Sequence, residues 1–214
     1  MAGEVSLPAR RTVVVATGNK GKLHELRQLF ADLPIDLVAV ADALPTRVEV
    51  VEDGATFEEN ALKKARAVSA ATALAALADD SGLEVDALGG APGVYSARYA
   101  GEGATDAENN RKLLGALDAI ESRGPRTARF RCVLTLVDPH GEGVPLVASG
   151  ACEGRIAAAA RGHGGFGYDP IFVVAELPGD RTMAELGDDE KNALSHRARA
   201  AAALRPALRA WLGI

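Results

Sequence analysis

"VVVATGNKGK", residues 13–22, decides the fold. Four apolar residues in a row read as a strand buried on both faces. Gly18 and Asn19 follow, and both tolerate positive φ, so the chain is able to turn sharply there. "KLHELRQLF" (22–30) then sets Leu23, Leu26, Leu29 and Phe30 at helical spacing. A strand that breaks straight into a helix is the opening unit of an α/β fold. The turn between them carries Thr17, Gly18, Asn19, Lys20, Gly21 and Lys22. Free N–H groups at a helix start, with lysines beside them, suit a phosphate. An ordinary strand–helix turn with solvated lysines competes with that reading while the stretch stands alone.

Outward from this unit, "IDLVAV" (35–40) reads as a second strand and 41–55 as a loop with an acidic run, "EVVEDG". "TFEENALKKARAVSAAT" (56–72) is helical, with Thr56 and Glu59 spaced as a capping box. "ALAALADD" (73–80) reads as a strand ending in two carboxylates, and 81–101 as strand-like pieces broken by glycine and proline. Thr105 and Glu108 cap a helix over 105–120. The segments 128–138 and 145–157 form a hairpin across "PHGEG". A glycine-dense loop, "RGHGGFGYDP" (161–170), leads to the short strand "IFVV". "SHRARAAAALRPALRAWLG" is a final helix, with a kink expected at Pro206. Early strand–helix alternation and a late hairpin give an α/β fold: a mixed central β-sheet flanked by helices.

The chain has 214 residues, enough for one good core or two small lobes sharing a sheet. A net charge of −5 argues against a nucleic-acid binder, though a pocket for one anionic small molecule needs only local charge. Cys132 and Cys152 lack metal or disulfide spacing and read as core residues in a reducing compartment. No run reaches membrane-span length, and the first eleven residues lack a signal-type apolar segment. The expectation is a loose tail over 1–11, one domain over 12–214, a cytoplasmic location and no membrane partner.

Chemistry concentrates in three further places. In "ADDSG" (78–82) two acids sit behind an apolar run, at a sheet rim where α/β proteins place ligands. Adjacent strand residues face opposite ways, so Asp79 and Asp80 share a cleft only if the strand has ended there. One then meets metal or water and the other holds a turn. Mg²⁺ binds through one or two carboxylates plus substrate phosphates, so one acid from 49–54 with one from 79–80 suffices. Glu59 and Lys63 form a surface helix pair, while Lys64 lies on another face and is able to look inward.

The glycine loop satisfies G-x-G-x-x-G at Gly162, Gly164 and Gly167, but a strand follows rather than a helix, so a dinucleotide fingerprint is rejected. It offers close backbone approach to a flat ligand, Phe166 and Tyr168 as stacking faces, and Asp169 as an acceptor. In "KNALSHR" (191–197), Ser195 caps the last helix. His196 and Arg197 then oppose the helix dipole, a cost that an anion or an electron-rich ligand atom would offset.

Taken in order, "TGNKGK", "TFEENALKKA", "ADDSGLEVDALGGAPGVYSARYAG", "FGYDPIF" and "EKNALSHR" resemble the inosine/xanthosine triphosphate pyrophosphatase family. The likeness runs from Val13 to the last helix, and Lys20 fills a variable place in the first motif. It implies hydrolysis of ITP, dITP and XTP to the monophosphate and pyrophosphate. It also implies Mg²⁺, a homodimer, and two lobes with the active-site cleft between them. Thr17 to Lys22 match the segment gripping the triphosphate. Asp80 matches the proton acceptor and metal-associated residue, and Glu52 a metal ligand. Ser81, Phe166, Gly167, Tyr168, Asp169, Lys191, His196 and Arg197 match substrate contacts. Lys22 and Lys64 are placed to offset developing negative charge. Arg197 with His196 would donate to a 6-oxo group, and Asp169 would accept. The alternatives are a nucleotide pyrophosphatase of another base specificity, and a non-catalytic nucleotide-binding protein with no need of Asp80.

Overall fold

The computed structural model describes residues 10–46, 48–120, 124–141 and 144–214. Most of the expected tail (1–9) and two residues of the expected hairpin turn (142–143) lie outside the described residues. Arg10 and Arg11 already belong to the fold: Arg11 opens the first strand opposite Ile35, and Arg10 Nε sits 2.6 Å from Asp36.

Among the described residues, six strands form one mixed sheet in the order β2-β1-β3-β4-β5-β6. They are β1 (Arg11–Val15), β2 (Ile35–Ala39), β3 (Ala75–Val85), β4 (Thr127–Val137), β5 (Leu146–Ile156) and β6 (Phe172–Val174). β2, β1 and β3 run parallel, whereas β3, β4, β5 and β6 are successively antiparallel. The helices are α1 (Lys20–Leu29), α2 (Val40–Ala43), α3 (Phe57–Thr72), α4 (Asp106–Asp118), α5 (Asp188–Leu194) and α6 (His196–Leu212).

Alternation along β3 builds two cores. Ala75 and Leu77 face a layer with Leu26 of α1, Phe30 just past its end, and Leu204 and Leu208 of α6. Ala76 and Ala78 face α3, where Ala61, Ala65 and Val68 let helix and sheet approach closely. A third cluster gathers Leu83, Val85, Leu113, Phe130, Ile156 and Phe172 toward the far end of the long strands.

Five expectations are corrected. "ADDSG" is not a turn: β3 runs unbroken from Ala75 to Val85, because β4 pairs with it from Ala76↔Val137 to Val85↔Ala128. Asn19 does not use positive φ; it caps α1 at φ −84°, accepting from Lys22 N–H, so the helix opens at Lys20. α6 runs through Pro206 as one helix. At α3, Thr56 caps Glu59 N–H, but the Glu59 carboxylate accepts from Ala55 rather than closing a capping box, and Lys63 turns to Asp53. Thr105 and Glu108 form the full box.

Candidate active site

The site is built where β1 stops and β3 continues. Val15 is the last β1 residue in register, opposite Leu77, and Ala16 N–H donates to Leu77 C=O at 2.8 Å. Just beyond lie Asp79 and Asp80, side by side in one extended strand and pointing to opposite faces. Both faces are used.

On the α3 face, Lys64 reaches Asp80 Oδ1 at 2.5 Å and Glu52 Oε2 at 3.1 Å. The loop carrying Glu52 is held by α3 and by Arg98. Gly54 N–H donates to Asn60 Oδ1 (2.8 Å), and Arg98 donates to the Glu52 carbonyl (2.9 Å). Burial pushes the Asp80 carboxyl up to about 6, against the pull of Lys64, and the neighbouring Glu52 charge adds to the rise. Lys64 is also desolvated, but its two carboxylates overcome that and hold the ammonium charged.

On the α1 and α6 face, Lys22 meets Asp79 Oδ1 at 2.6 Å, and Arg197 Nε meets Asp79 Oδ2 at 2.6 Å. Arg197 also donates to Glu25 and, from Nη2, to Ser81 Oγ at 3.1 Å. Glu25 and Asp169 share Lys191 at 2.7 and 2.8 Å. The result is an alternating line: Lys22, Asp79, Arg197, Glu25, Lys191, Asp169. Arg197 is fully buried and Asp79 nearly so. Ions so buried persist only when every neighbour carries the opposite sign. Burial alone would raise Asp79, but Arg197 and Lys22 hold it well below the usual carboxylate range.

The glycine loop closes the arrangement. Phe166 lies over Lys191 and Arg197, 4.7 and 5.7 Å from its ring centre. The same ring packs on the first turn of α1, so a Cβ on Gly21 would stand 2.7 Å from Phe166 Cδ1. Tyr168 is buried, with its hydroxyl donating to Ser96 C=O at 2.8 Å, and Asp169 accepts from Phe166 N–H at 3.0 Å. His196 stacks on Phe130, ring centres 4.7 Å apart. Burial and the adjacent Arg197 push its imidazole well below the usual range, so the ring is neutral. Its Nδ1 is buried and has no partner among the described residues.

The structure therefore places Lys64, Asp80 and Glu52 on the α3 face of β3, and Lys22, Ser81, Phe166, Asp169, Lys191, His196 and Arg197 on the α1 and α6 face, the two groups meeting at the adjacent residues Asp79 and Asp80. Gly18, Asn19 and Lys20 stay exposed at the mouth of α1, with Thr17 Oγ1 accepting from Asn19 N–H. Gly167 sits beside Phe166, held from α4. Arg197 differs from the expectation in one respect. The cost of its place at a helix start is offset by Asp79 and Glu25, not by a ligand. Sequence reasoning misses Glu25 and gives Asp79 no site role of its own. Glu25 had a signal, since it shares the Lys22, Leu26 and Leu29 face of α1, an acid on an otherwise inward stripe.

The model of the Ham1 family matches residues 13–207. The chain is similar to the dITP/XTP pyrophosphatase of Geobacter sulfurreducens, 53% identical over 94% of this chain and 98% of that one. It is likewise similar to that of Erwinia tasmaniensis, 54% identical over 88% and 89%. Among solved structures, a HAM1 protein from Coxiella burnetii aligns with a TM-score of 0.82 at 45% identity, over 94% and 99% of the two chains. A nucleoside-triphosphatase / dITP/XTP pyrophosphatase from Mycobacterium abscessus aligns at 0.71 and 47% identity, over 91% and 99%.

Proposed function

The chain belongs to the Ham1 family, and we infer from this that it hydrolyses non-standard purine nucleoside triphosphates, dITP and XTP among them, to the monophosphate and pyrophosphate. The observation that carries the reading is the pair Asp79-Asp80 at the end of β1. One acid ties in the phosphate-side lysine of α1, and the other stands beside Glu52 and Lys64.

Mg²⁺ fits this donor set. The Lys64 ammonium already rests between two carboxylates, and both are hard oxygen donors. Among the described residues, no group of three or more His, Cys, Asp or Glu side chains would hold an ion alone. Two acids completed by phosphate oxygens is the usual habit of Mg²⁺. When bound, the ion neutralises phosphate charge and polarises the phosphorus centre. Asp80 accepts the proton of the attacking water on its carboxylate, and its raised pKa suits a base working near neutral pH. Lys22 and Lys64 balance the charge that builds on the phosphate oxygens. The open N–H groups at the start of α1 receive the phosphate tail.

For the base, the orphaned Nδ1 of neutral His196, the Asp169 carboxylate and the Phe166 ring offer hydrogen-bonding and stacking partners to a keto-purine. A buried donor meeting the adenine amino group would be left unpaired, which disfavours ATP. We take the two lobes to be the two ends of the long strands, with the cleft at Asp79-Asp80. A homodimer and a cytoplasmic location are proposed on family likeness. Among the described residues, no helix is long and apolar enough to cross a membrane.

The direct test is product identification. Incubation of dITP, XTP and dATP with Mg²⁺ should release pyrophosphate from the first two and little from the third. Release of orthophosphate from dITP, or equal rates on dATP, would contradict the reading.

A further inference from the structure

We propose that Asp106 and Asn110, one turn apart on α4, are positioning residues that set the base-selecting loop by gripping both polar groups of a single peptide residue, Gly167. The proposal rests on the function just given. Gly167 N–H donates to Asp106 Oδ2 at 2.7 Å, and Asn110 Nδ2 donates to the Gly167 carbonyl at 3.0 Å. Gly167 has φ +64°, a left-handed conformation that glycine holds at low cost and that places its N–H and C=O toward the helix. On either side stand Phe166, which covers Lys191 and Arg197, and Tyr168-Asp169, which anchors Lys191. Fixing this one residue therefore fixes the stacking face and the acceptor together.

Two observations separate this from ordinary packing. Asn110 is buried, and its Oδ1 has no partner among the described residues. Its amide is thus committed to the Gly167 carbonyl through Nδ2. Its neighbour Asn109 uses both halves of its amide elsewhere, on Ala97 C=O (3.2 Å) and Ala100 N–H (2.7 Å). The same helix thus holds two separate segments with consecutive residues, Asn109 on 97–100 and Asn110, with Asp106, on the base loop.

The test compares Asp106→Ala, Asn110→Ala, Asp106→Asn and Asn109→Ala with the wild type. Readouts are kcat and KM for dITP and dATP, inhibition by pyrophosphate, and hydrogen exchange across 162–170. Asp106→Ala and Asn110→Ala should each raise KM for dITP about tenfold, the worth of one good hydrogen bond, with a smaller fall in kcat. The preference for dITP over dATP should fall by a similar factor, and exchange across 162–170 should speed up. Pyrophosphate inhibition should hold, because that ligand engages only the phosphate end. Asp106→Asn keeps an acceptor oxygen and should restore most of the preference. Asn109→Ala should lower the melting temperature and leave the preference for dITP over dATP unchanged. An unchanged preference in the two alanine variants, an equal loss in Asn109→Ala, or weakened pyrophosphate inhibition in parallel would overturn the proposal. A wild type that leaves dITP intact would show failure of the parent reading separately, and would overturn base selection with it.

Discussion

At the residue scale, Asp80 joins the proposed chemistry to a stability cost. Its carboxyl sits at about 6, above the usual 3.8, chiefly because it is buried. The folded state therefore favours the protonated form. The resulting stabilisation is complete below pH 3.8 and is lost as pH rises through about 6. At pH 8 an ionised Asp80 costs up to about 3 kcal/mol. Asp80→Asn should remove that cost while leaving Lys64 with one carboxylate fewer. The expected net gain is about 1–2 kcal/mol at pH 8, shrinking toward zero near pH 4 in urea titrations. The same variant should lose turnover by about a thousandfold, as expected for removal of a general base. For the wild type, kcat/KM should fall about tenfold per pH unit below 6. Retained turnover in Asp80→Asn would move the proton acceptor elsewhere. Asp80, Lys22 and Lys64 were legible from sequence because each sat in a short motif with a chemical reason. For Glu25 the sequence offers only its place on the inward stripe of α1, because its partners Lys191 and Arg197 lie far along the chain and are brought near only by folding.

At the element scale, β3 is the organising strand, and its middle was misread. Ser-Gly after two aspartates carries turn chemistry locally, yet full pairing with β4 overrides it. Gly82 shows why a glycine stands there. A Cβ would lie 2.5 Å from Gly93 C=O and from Ser96 Oγ, so the 93–98 segment would have to lift off the strand. Leu83 N–H also donates to Ser96 Oγ at 2.9 Å, and Tyr168 reaches the same residue. Gly82→Ala should cost about 1–3 kcal/mol in chemical denaturation and weaken dITP binding through Tyr168. The caps Thr56, Thr105 and Ser195 were legible because caps are local: Thr105→Ala should cost about 1 kcal/mol, visible as a lower melting temperature with unchanged KM. α5 escaped notice because its seven residues are too short for a clear periodic pattern.

At the scale of the whole molecule, the buried line from Lys22 to Asp169 spans α1, β3, α6, α5 and the glycine loop. It links the proposed phosphate end of the site to the proposed base end by salt bridges. Breaking it in the middle should be costly. Arg197→Leu leaves buried Asp79 with Lys22 and Glu25 with Lys191 as their remaining charged partners and should destabilise by about 3–5 kcal/mol at pH 7. The sign of the pH dependence should change as well. In the wild type, Asp79 is held well below its usual range, so its stabilisation is present above pH 3.8 and is lost as pH falls through the depressed value. In the variant, burial with only Lys22 beside it should favour the protonated acid, so the deficit should narrow on acidification. An equal deficit at pH 5 and pH 8 would contradict this. The three regions could be named from the sequence, but not their union, which β3 achieves by presenting adjacent acids to opposite faces at the end of β1.

That union is tested most directly by a crystal structure of the Asp80→Asn variant soaked with dITP. The phosphates should lie against 17–22 and beside Lys64, with the hypoxanthine ring among Phe166, Asp169, Lys191 and His196. A nucleotide bound elsewhere, or one whose base and phosphates do not span the Asp79-Asp80 pair, would contradict it.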